Sequence, residues 1–333
     1  MDEIMAPFLD VRDLSIAFSS RAGDLSIVER SSFQLAKGEV LGLVGESGCG
    51  KSVTALSLMR LLPQTARVSN GSIRLGGTDL LSMSERAFNR IRGRRIGMIF
   101  QEPMSSLNPV QTVGWQIMEP LRVHLGLSRA QARERAIELL ERVRVPAAAS
   151  RLAAYPHELS GGLRQRVMIA IAISCEPELL IADEPTTALD VTIQAQMIDL
   201  LVELQKSSGM SVVIITHDLG VVADFANKVA VMYTGRIVET GPVGAFFDRP
   251  VHPYTQALIA SLPDPENPDR KLSTIEGTVP RPLLLPPGCR FAPRCGFRRP
   301  VCETILPDLW DVGSDQAAAC LKPFDYEIPD PHD

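Results

Sequence analysis

The stretch Gly45-Glu46-Ser47-Gly48-Cys49-Gly50-Lys51-Ser52 has the spacing G-x-x-x-x-G-K-S, which binds phosphate when a strand runs into it and a helix runs out. The apolar run EVLGLVG before it and the helical pattern SVTALSLMRLL after it supply that context, and the helix is expected to stop at Pro63. Gly45, Gly48 and Gly50 let backbone N–H groups converge on phosphate oxygens, helped by the helix N-terminus. Lys51 brings a cation to the β- and γ-phosphates, and Ser52 offers an oxygen to Mg²⁺. Glu46, Ser47, Cys49 and Val53 complete the loop and first helical turn around the phosphates. Cys49 reads as a small filler, although oxidation there would block the site. Farther on, the apolar run LLIADEP ends in Asp183 and Glu184, at the strand edge where ligands bind in α/β folds. Asp183 suits the Mg²⁺ shell, directly or through water. Glu184 is placed to orient or deprotonate an attacking water. Alone, two acids at a strand end are usually a solvated turn. Beside a phosphate loop they read as the machinery of hydrolysis.

Four of the six cysteines crowd into one short C-terminal stretch: Cys289, Cys295, Cys302 and Cys320, spaced C-x5-C-x6-C-x17-C. Zinc sites usually bring a close C-x2–4-C pair, and none is present. The wider spacing is compatible with a four-thiolate iron–sulfur cluster. Zinc and reduced, unligated thiols stay open as alternatives. The prolines and arginines between these cysteines would not make a hydrophobic core, which favours a bound ligand holding the tail together. Cys175, in an apolar helical run, falls outside the set.

The elements that must position these residues alternate. Strand-like runs (FLDVRDLSIAF, SSFQLAKGEVLGLVG, ELLIADEP, MSVVIITHD, KVAVMYTGRIVETG) are separated by helical patterns, which argues for an α/β domain around a parallel core. GSIRLGGTDLL reads as a hairpin turning at Gly-Gly. Residues from Gln111 to about Pro156 read as mostly helical, RAQARERAIELLERVRV most clearly, and TIQAQMIDLLVELQKSSG ends at Gly209. After about Leu262 the texture turns proline-rich, PDPENPD and then VPRPLLLPPG, as in a linker to a small irregular domain. The 333 residues, 45% hydrophobic and 22% charged, suit one large domain and one small one, and no repeat is evident. A net charge of -5 points away from nucleic acid and anionic membranes as main partners. No apolar run reaches eighteen residues, and the acidic opening MDEIMAPFLDVRD has no secretory pattern, so a cytoplasmic location with reduced thiols is expected.

ELSGGLRQRV, just upstream of the LLIADEP strand, makes the resemblance specific. With the motifs above, the chain resembles the ATP-binding subunit of an ABC transporter over nearly all its length. The resemblance implies a P-loop NTPase cassette: a mixed sheet with a RecA-like core, an antiparallel β subdomain and a helical subdomain at about 111–160. That cassette would span 1–262, and a cysteine-rich extension 263–333. Ser160, Gly161 and Gly162 resemble the signature that closes on the partner subunit's ATP, with Leu163 where the family commonly has Gln. Phe18 resembles the aromatic that stacks on adenine. Gln101 resembles the glutamine that senses Mg²⁺ and water. Asp190, ending TTALD, resembles the loop that communicates across the dimer, and His217 the histidine that contacts the γ-phosphate.

Longer stretches (GESGCGKSVTALSLMRLLP, IFQEPMSSLNPVQTVGWQI, ADEPTTALDVTIQAQMIDLL, HPYTQALIASLP) resemble the importers of dipeptides, oligopeptides and nickel. Val53-Thr54 looks like the first of their two paralogous ATPases. The resemblance thus implies a heterodimer with a second ATPase, two membrane permeases, a binding protein acting indirectly, and residence on the cytoplasmic face of the cell membrane. The helical insert and SSLNP would face the permeases. A [4Fe–4S] cluster is what the resemblance implies for the tail, with Arg294 and its neighbours offsetting cluster charge or touching a permease. Peptide is the favoured cargo, with nickel, glutathione or another small solute as alternatives. A soluble ABC ATPase acting on nucleic acid or ribosomes is the remote alternative, suggested by Arg290, Arg294, Arg298 and Arg299 among the cysteines.

Overall fold

The computed structural model describes residues 6–20, 23–102, 106–187, 190–262 and 274–321. Ser105 of SSLNP, Ala188 and Leu189 of TTALD, and the linker PDPENPD lie outside the described residues. The chain divides into two compact units, one drawn from 1–35, 40–79 and 216–333, the other from 36–39 and 80–215.

The first unit holds an antiparallel sheet in the order β2-β1-β4-β5, made of β1 (Leu9–Ser20), β2 (Gly23–Leu35), β4 (Ala66–Leu75) and β5 (Thr78–Asp79). β4 turns into β5 through Gly76 and Gly77, both at positive φ, so the anticipated Gly-Gly hairpin forms. A second set of strands runs β11-β12-β10-β9-β3, from β3 (Val40–Val44), β9 (Lys228–Tyr233), β10 (Arg236–Pro242), β11 (Trp310–Gly313) and β12 (Gln316–Ala318). β3 lies parallel to β9, and all five of its residues are buried, as expected of a continuous apolar run in a parallel sheet. Burying each such aliphatic side chain contributes about 1.5–3 kcal/mol. β12 pairs with β10, so the end of the cysteine-rich stretch is stitched to the same sheet that carries the phosphate loop.

Helix α1 (Lys51–Leu58) follows β3 and ends before the expected Pro63. Arg60 adopts φ 51°, and the Leu61 N–H returns to the Leu56 carbonyl (2.8 Å), so a left-handed turn closes the helix without glycine or proline.

In the second unit β6 (Ile96–Ile99), β7 (Leu179–Asp183) and β8 (Ser211–Ile215) run parallel in that order. After α2 (Glu85–Phe88), the helical stretch comprises α3 (Val113–Leu125), α4 (Arg129–Arg142) and α5 (Ala148–Arg151). Thr112 caps α3, and Ser128 with Gln131 forms a capping box on α4. α6 (Gly161–Ile173) and α7 (Val191–Ser208) complete the unit, α7 ending at Gly209 with φ 66° as its sequence signalled. Back in the first unit follow α8 (Leu219–Phe225), α9 (Val243–Asp248) and α10 (Pro253–Ala260). Among the described residues no helix is long and apolar enough to cross a membrane.

Candidate nucleotide site and cysteine tail

The phosphate loop leaves β3 and enters α1 within the first unit. Gly45 has φ 149°, and a Cβ there would sit 2.1 Å from the Met232 carbonyl, so no other residue fits. The Gly235 N–H holds the Cys49 carbonyl at 2.8 Å. Lys51 is 4% exposed, and its Nζ donates to the carbonyls of Gly45 (2.7 Å) and Glu46 (3.0 Å), which keeps the ammonium inside the loop's curve. Cys49 is buried, and burial pushes its thiol up despite the nearby Lys51 charge, so it is a neutral filler rather than a reactive thiolate. Ser47 and Gly48 are exposed, and Ser52 and Val53 half-buried at the start of α1. Phe18 is half-buried on β1, opposite Leu25 on one side and Ala66 on the other. His217 is exposed just before α8, whose N-terminus Asp218 caps by accepting the Gly220 N–H at 2.9 Å.

The carboxylate pair lies at the end of β7 in the second unit. Asp183 is 4% exposed. Glu184 has φ 45°, a left-handed conformation costing about 1–2 kcal/mol for a side-chain-bearing residue. Its N–H donates to the Ile215 carbonyl (2.9 Å), which pins the strained turn. Its Oε2 accepts from Gln101 Nε2 (3.1 Å) and Thr187 Oγ1 (2.8 Å). Two residues separated by 83 positions, Gln101 and Glu184, are thus brought together.

In the same unit Ser160 precedes α6 with extended backbone, and its side chain makes no capping bond. Ser160 and Gly161 are exposed and Gly162 half-exposed, leaving N–H groups of the helix start facing outward. Gln165, which sequence reasoning did not single out, is 2% exposed and donates to the Pro185 carbonyl, tying the signature helix to the loop after Glu184. Asp190 caps α7, accepting the Ile193 N–H at 3.0 Å.

The tail belongs to the first unit. Cys289, Cys295, Cys302 and Cys320 all line one cavity, together with His252 and Phe291, and among the described residues none of the four forms a disulfide. Cys289 donates its N–H to the Cys302 carbonyl (2.8 Å), closing the loop between them. Burial pushes the Cys289 and Cys295 thiols up, and neighbouring thiols add to it. Among the described residues no group of three or more His, Cys, Asp or Glu side chains is arranged to hold a metal ion.

The arginines of the tail do something that the sequence did not suggest. Arg290, 7% exposed, donates to the Thr234 carbonyl and pairs with Glu29. Arg294, its side chain 4% exposed, forks onto the phosphate-loop residue Glu46: Nη1 to Oε2 at 2.7 Å and Nη2 to Oε1 at 3.0 Å. From another side the Glu46 N–H donates to Tyr254 Oη (2.9 Å). Tyr254 is fully buried, stacked obliquely on Tyr233 (4.6 Å between ring centroids) and on Phe291 (5.4 Å). Just before it, His252 is buried and pushed down to about 3 by desolvation, hence neutral, and its Nδ1 accepts the Tyr254 N–H at 3.0 Å. The buried carboxylate of Glu239 accepts the N–H groups of Val251 (2.9 Å) and His252 (2.7 Å), fixing where the HPY segment enters α10.

A glycine-rich phosphate loop on a parallel strand, an acid pair on another, and a glycine-led helix start define a nucleotide-hydrolysing cassette. Residues 28–187 match the ABC transporter family and residues 238–302 the oligopeptide/dipeptide transporter C-terminal region. The chain is 54% identical over 315 residues to a peptide import ATP-binding protein of Brucella abortus (strain 2308), covering 95% of both chains. It is 52% identical over 328 residues to another of Brucella melitensis (95% and 97% covered). Among solved structures, the dimeric ATP-binding cassette MJ0796 with ADP and Pi aligns at TM-score 0.64, 24% identity, over 71% of this chain and 98% of that one. CbiO1 of Clostridium perfringens, part of the ABC transporter complex cbiONQ, aligns at TM-score 0.61 and 27% identity, over 73% and 91%. The chain belongs to the ABC transporter ATP-binding family and is an ATPase of that class.

Proposed function

We propose that the chain supplies the ATP hydrolysis that drives import of dipeptides or oligopeptides across the cytoplasmic membrane. The observation that carries this reading is the match of residues 238–302 to the oligopeptide/dipeptide transporter C-terminal region, downstream of a cassette with every hydrolytic motif. It works on the cytoplasmic face as one of two paralogous ATPases beneath two permeases. Val110 (74% exposed), Trp115 (43%) and Val123 (70%) in and beside α3 give those permeases an apolar surface to cover.

In the proposed mechanism Phe18 stacks on adenine, and the loop from Gly45 to Val53 wraps the phosphates, with Lys51 countering the charge that grows on the γ-phosphoryl. Glu184 takes the proton of a water that attacks the γ-phosphorus in line, as the bond to the β-phosphate oxygen breaks and ADP leaves. Gln101 orients Glu184, and His217 contacts the γ-phosphate. Ser160, Gly161 and Gly162 serve the nucleotide held by the partner ATPase, and Asp190 relays between the two. Ser52, Gln101 and Asp183 would hold Mg²⁺, which would supply positive charge against the phosphates when bound.

We further propose that Cys289, Cys295, Cys302 and Cys320 hold a [4Fe–4S] cluster, whose four-thiolate donor set is the one the shared cavity offers. Protein purified without oxygen is expected to carry iron and sulfide near four each per chain. Zinc without sulfide, or no metal, would remove the cluster. For the transport reading, uptake of labelled dipeptide is measured in cells lacking this chain. Wild-type protein should restore uptake and Lys51→Ala should not. Intact peptide uptake in the deletion strain, with loss of nickel uptake instead, would move the assignment to another cargo.

A further inference from the structure

Glu46 is an odd residue to find in a loop that binds a polyanion. A carboxylate beside nucleotide phosphates repels them, and in a half-buried setting that repulsion is poorly screened. The structure meets this with Arg294, whose guanidinium forks onto both Glu46 oxygens (2.7 and 3.0 Å). Arg294 is itself immobilised. Its Nε donates to the Glu276 carbonyl (2.9 Å), Nη2 reaches the Ile275 carbonyl (3.3 Å), and its plane lies 5.9 and 6.0 Å from the Tyr233 and Phe291 rings. The backbone at Glu46 is fixed as well, by Tyr254 Oη at 2.9 Å and by Lys51 Nζ on its carbonyl at 3.0 Å. The residue that carries the repelling charge is therefore also the one at which the C-terminal extension grips the loop.

We propose that Arg294, seconded by Tyr254, is a positioning residue of the nucleotide site: acting through Glu46, it neutralises the loop's own carboxylate and holds the loop in its phosphate-binding shape. The C-terminal extension thereby becomes part of the ATP site. The inference rests on the assignment of Gly45–Ser52 as the phosphate loop, and it extends that assignment to a segment some 250 residues away, Arg294 and Glu46 being 248 positions apart. Arg294 directly precedes Cys295, so the same ion pair also links the cysteine cavity to the loop.

The test measures ATP dissociation constants, KM and kcat of the full chain in its assembled transporter for Arg294→Ala, for Arg294→Lys, and for Arg294→Ala combined with Glu46→Gln. Arg294→Ala is expected to weaken ATP binding and raise KM by about tenfold, the factor for one lost charge-assisted contact of about 1.4 kcal/mol. Its kcat at saturating ATP should stay within about twofold, since the acid pair is untouched. Adding Glu46→Gln should bring KM back most of the way, because the repelling charge has gone, and Arg294→Lys should fall between. The defect of Arg294→Ala should also shrink as salt rises. A fall in kcat with unchanged KM would overturn the proposal, as would a KM defect that Glu46→Gln deepens. If Arg294→Ala does not fold, Tyr254→Phe takes its place, with an expected KM rise of about twofold to fivefold, and an unchanged KM there counts against the proposal. Lys51→Ala separates the two readings: if it binds ATP normally, the phosphate-loop assignment itself has failed.

Discussion

The phosphate loop and the signature loop are built from the same idea, a glycine-rich turn feeding the N-terminus of a helix, and they are held in opposite ways. The first is gripped on every side: Gly45 against Met232, Cys49 by Gly235, Glu46 by Tyr254 and Arg294, and Lys51 folded onto the Gly45 and Glu46 carbonyls. The second is anchored behind its opening turn, by Gln165 on Pro185, Arg164 on the Pro156 carbonyl (2.7 Å) and Arg166 on the Val143 carbonyl (2.8 Å), and its leading edge at Ser160 and Gly161 is exposed with no side-chain cap. A loop that binds its own nucleotide gains from being preorganised. A loop that serves a partner's nucleotide must present unsatisfied N–H groups outward, and helix-start amides do so at no cost in packing. The difference in support fits the proposed division of labour, in which the first loop serves the chain's own ATP and the second the partner's.

The largest effect that would break this contrast comes from Lys51→Ala. It should weaken ATP binding about a hundredfold or more, because it removes the loop's fixed cation. Equilibrium titration of the chain checks it, and unchanged affinity would end the assignment. Ser160→Ala is expected to act in the opposite register. ATP binding by the isolated chain stays native, while turnover of the assembled transporter falls about tenfold. Reduced binding in the isolated chain would mean that the signature serves its own nucleotide. Gln165→Leu sharpens the contrast through stability: it strands the buried Pro185 carbonyl and should cost about 1–3 kcal/mol in chemical denaturation. A loss below the error of such a measurement would show that the signature helix is anchored elsewhere.

The smallest expected effect concerns a control ion pair. Arg95 and Glu178 (Nη2 to Oε2, 3.1 Å) are 32% and 38% exposed, whereas the Arg294 side chain is 4% exposed. The Arg95 hydrogen bond holds the Glu178 carboxyl below the usual range. Its folded-state pKa is depressed, so the pair's contribution is present above the unfolded value of about 4.3 and is lost as pH falls through the folded one. At this exposure it is worth less than about 1 kcal/mol. Arg95→Gln should therefore lower stability slightly at pH 7 and progressively less as pH falls below the unfolded carboxylate range, and a deficit that does not shrink with falling pH would contradict the electrostatic account.

Much of this was legible in the sequence wherever the signal is local. The phosphate loop, the helices α4 and α7 with the stop at Gly209, the Gly76-Gly77 hairpin and the buried strands β3, β7 and β8 all follow from neighbouring residues. The end of α1 was misjudged because Arg60 closes the helix in a left-handed turn that glycine signals usually announce. The grip on Glu46 was illegible for a different reason. Its partners lie 208 and 248 residues away, and nothing in HPY or in the cysteine stretch says which loop they will meet. Arg294 read as a cation for a cluster or a permease; the fold spends it on the phosphate loop.

The most direct test of the account is Glu184→Gln, assayed in the assembled transporter for both ATP affinity and turnover. The strained turn at Glu184, fixed by Gln101 and Thr187, is assigned the proton of the attacking water, so the amide should bind ATP with native affinity and lose at least about a hundredfold in kcat. Turnover within a few-fold of native would contradict that role and place the base elsewhere.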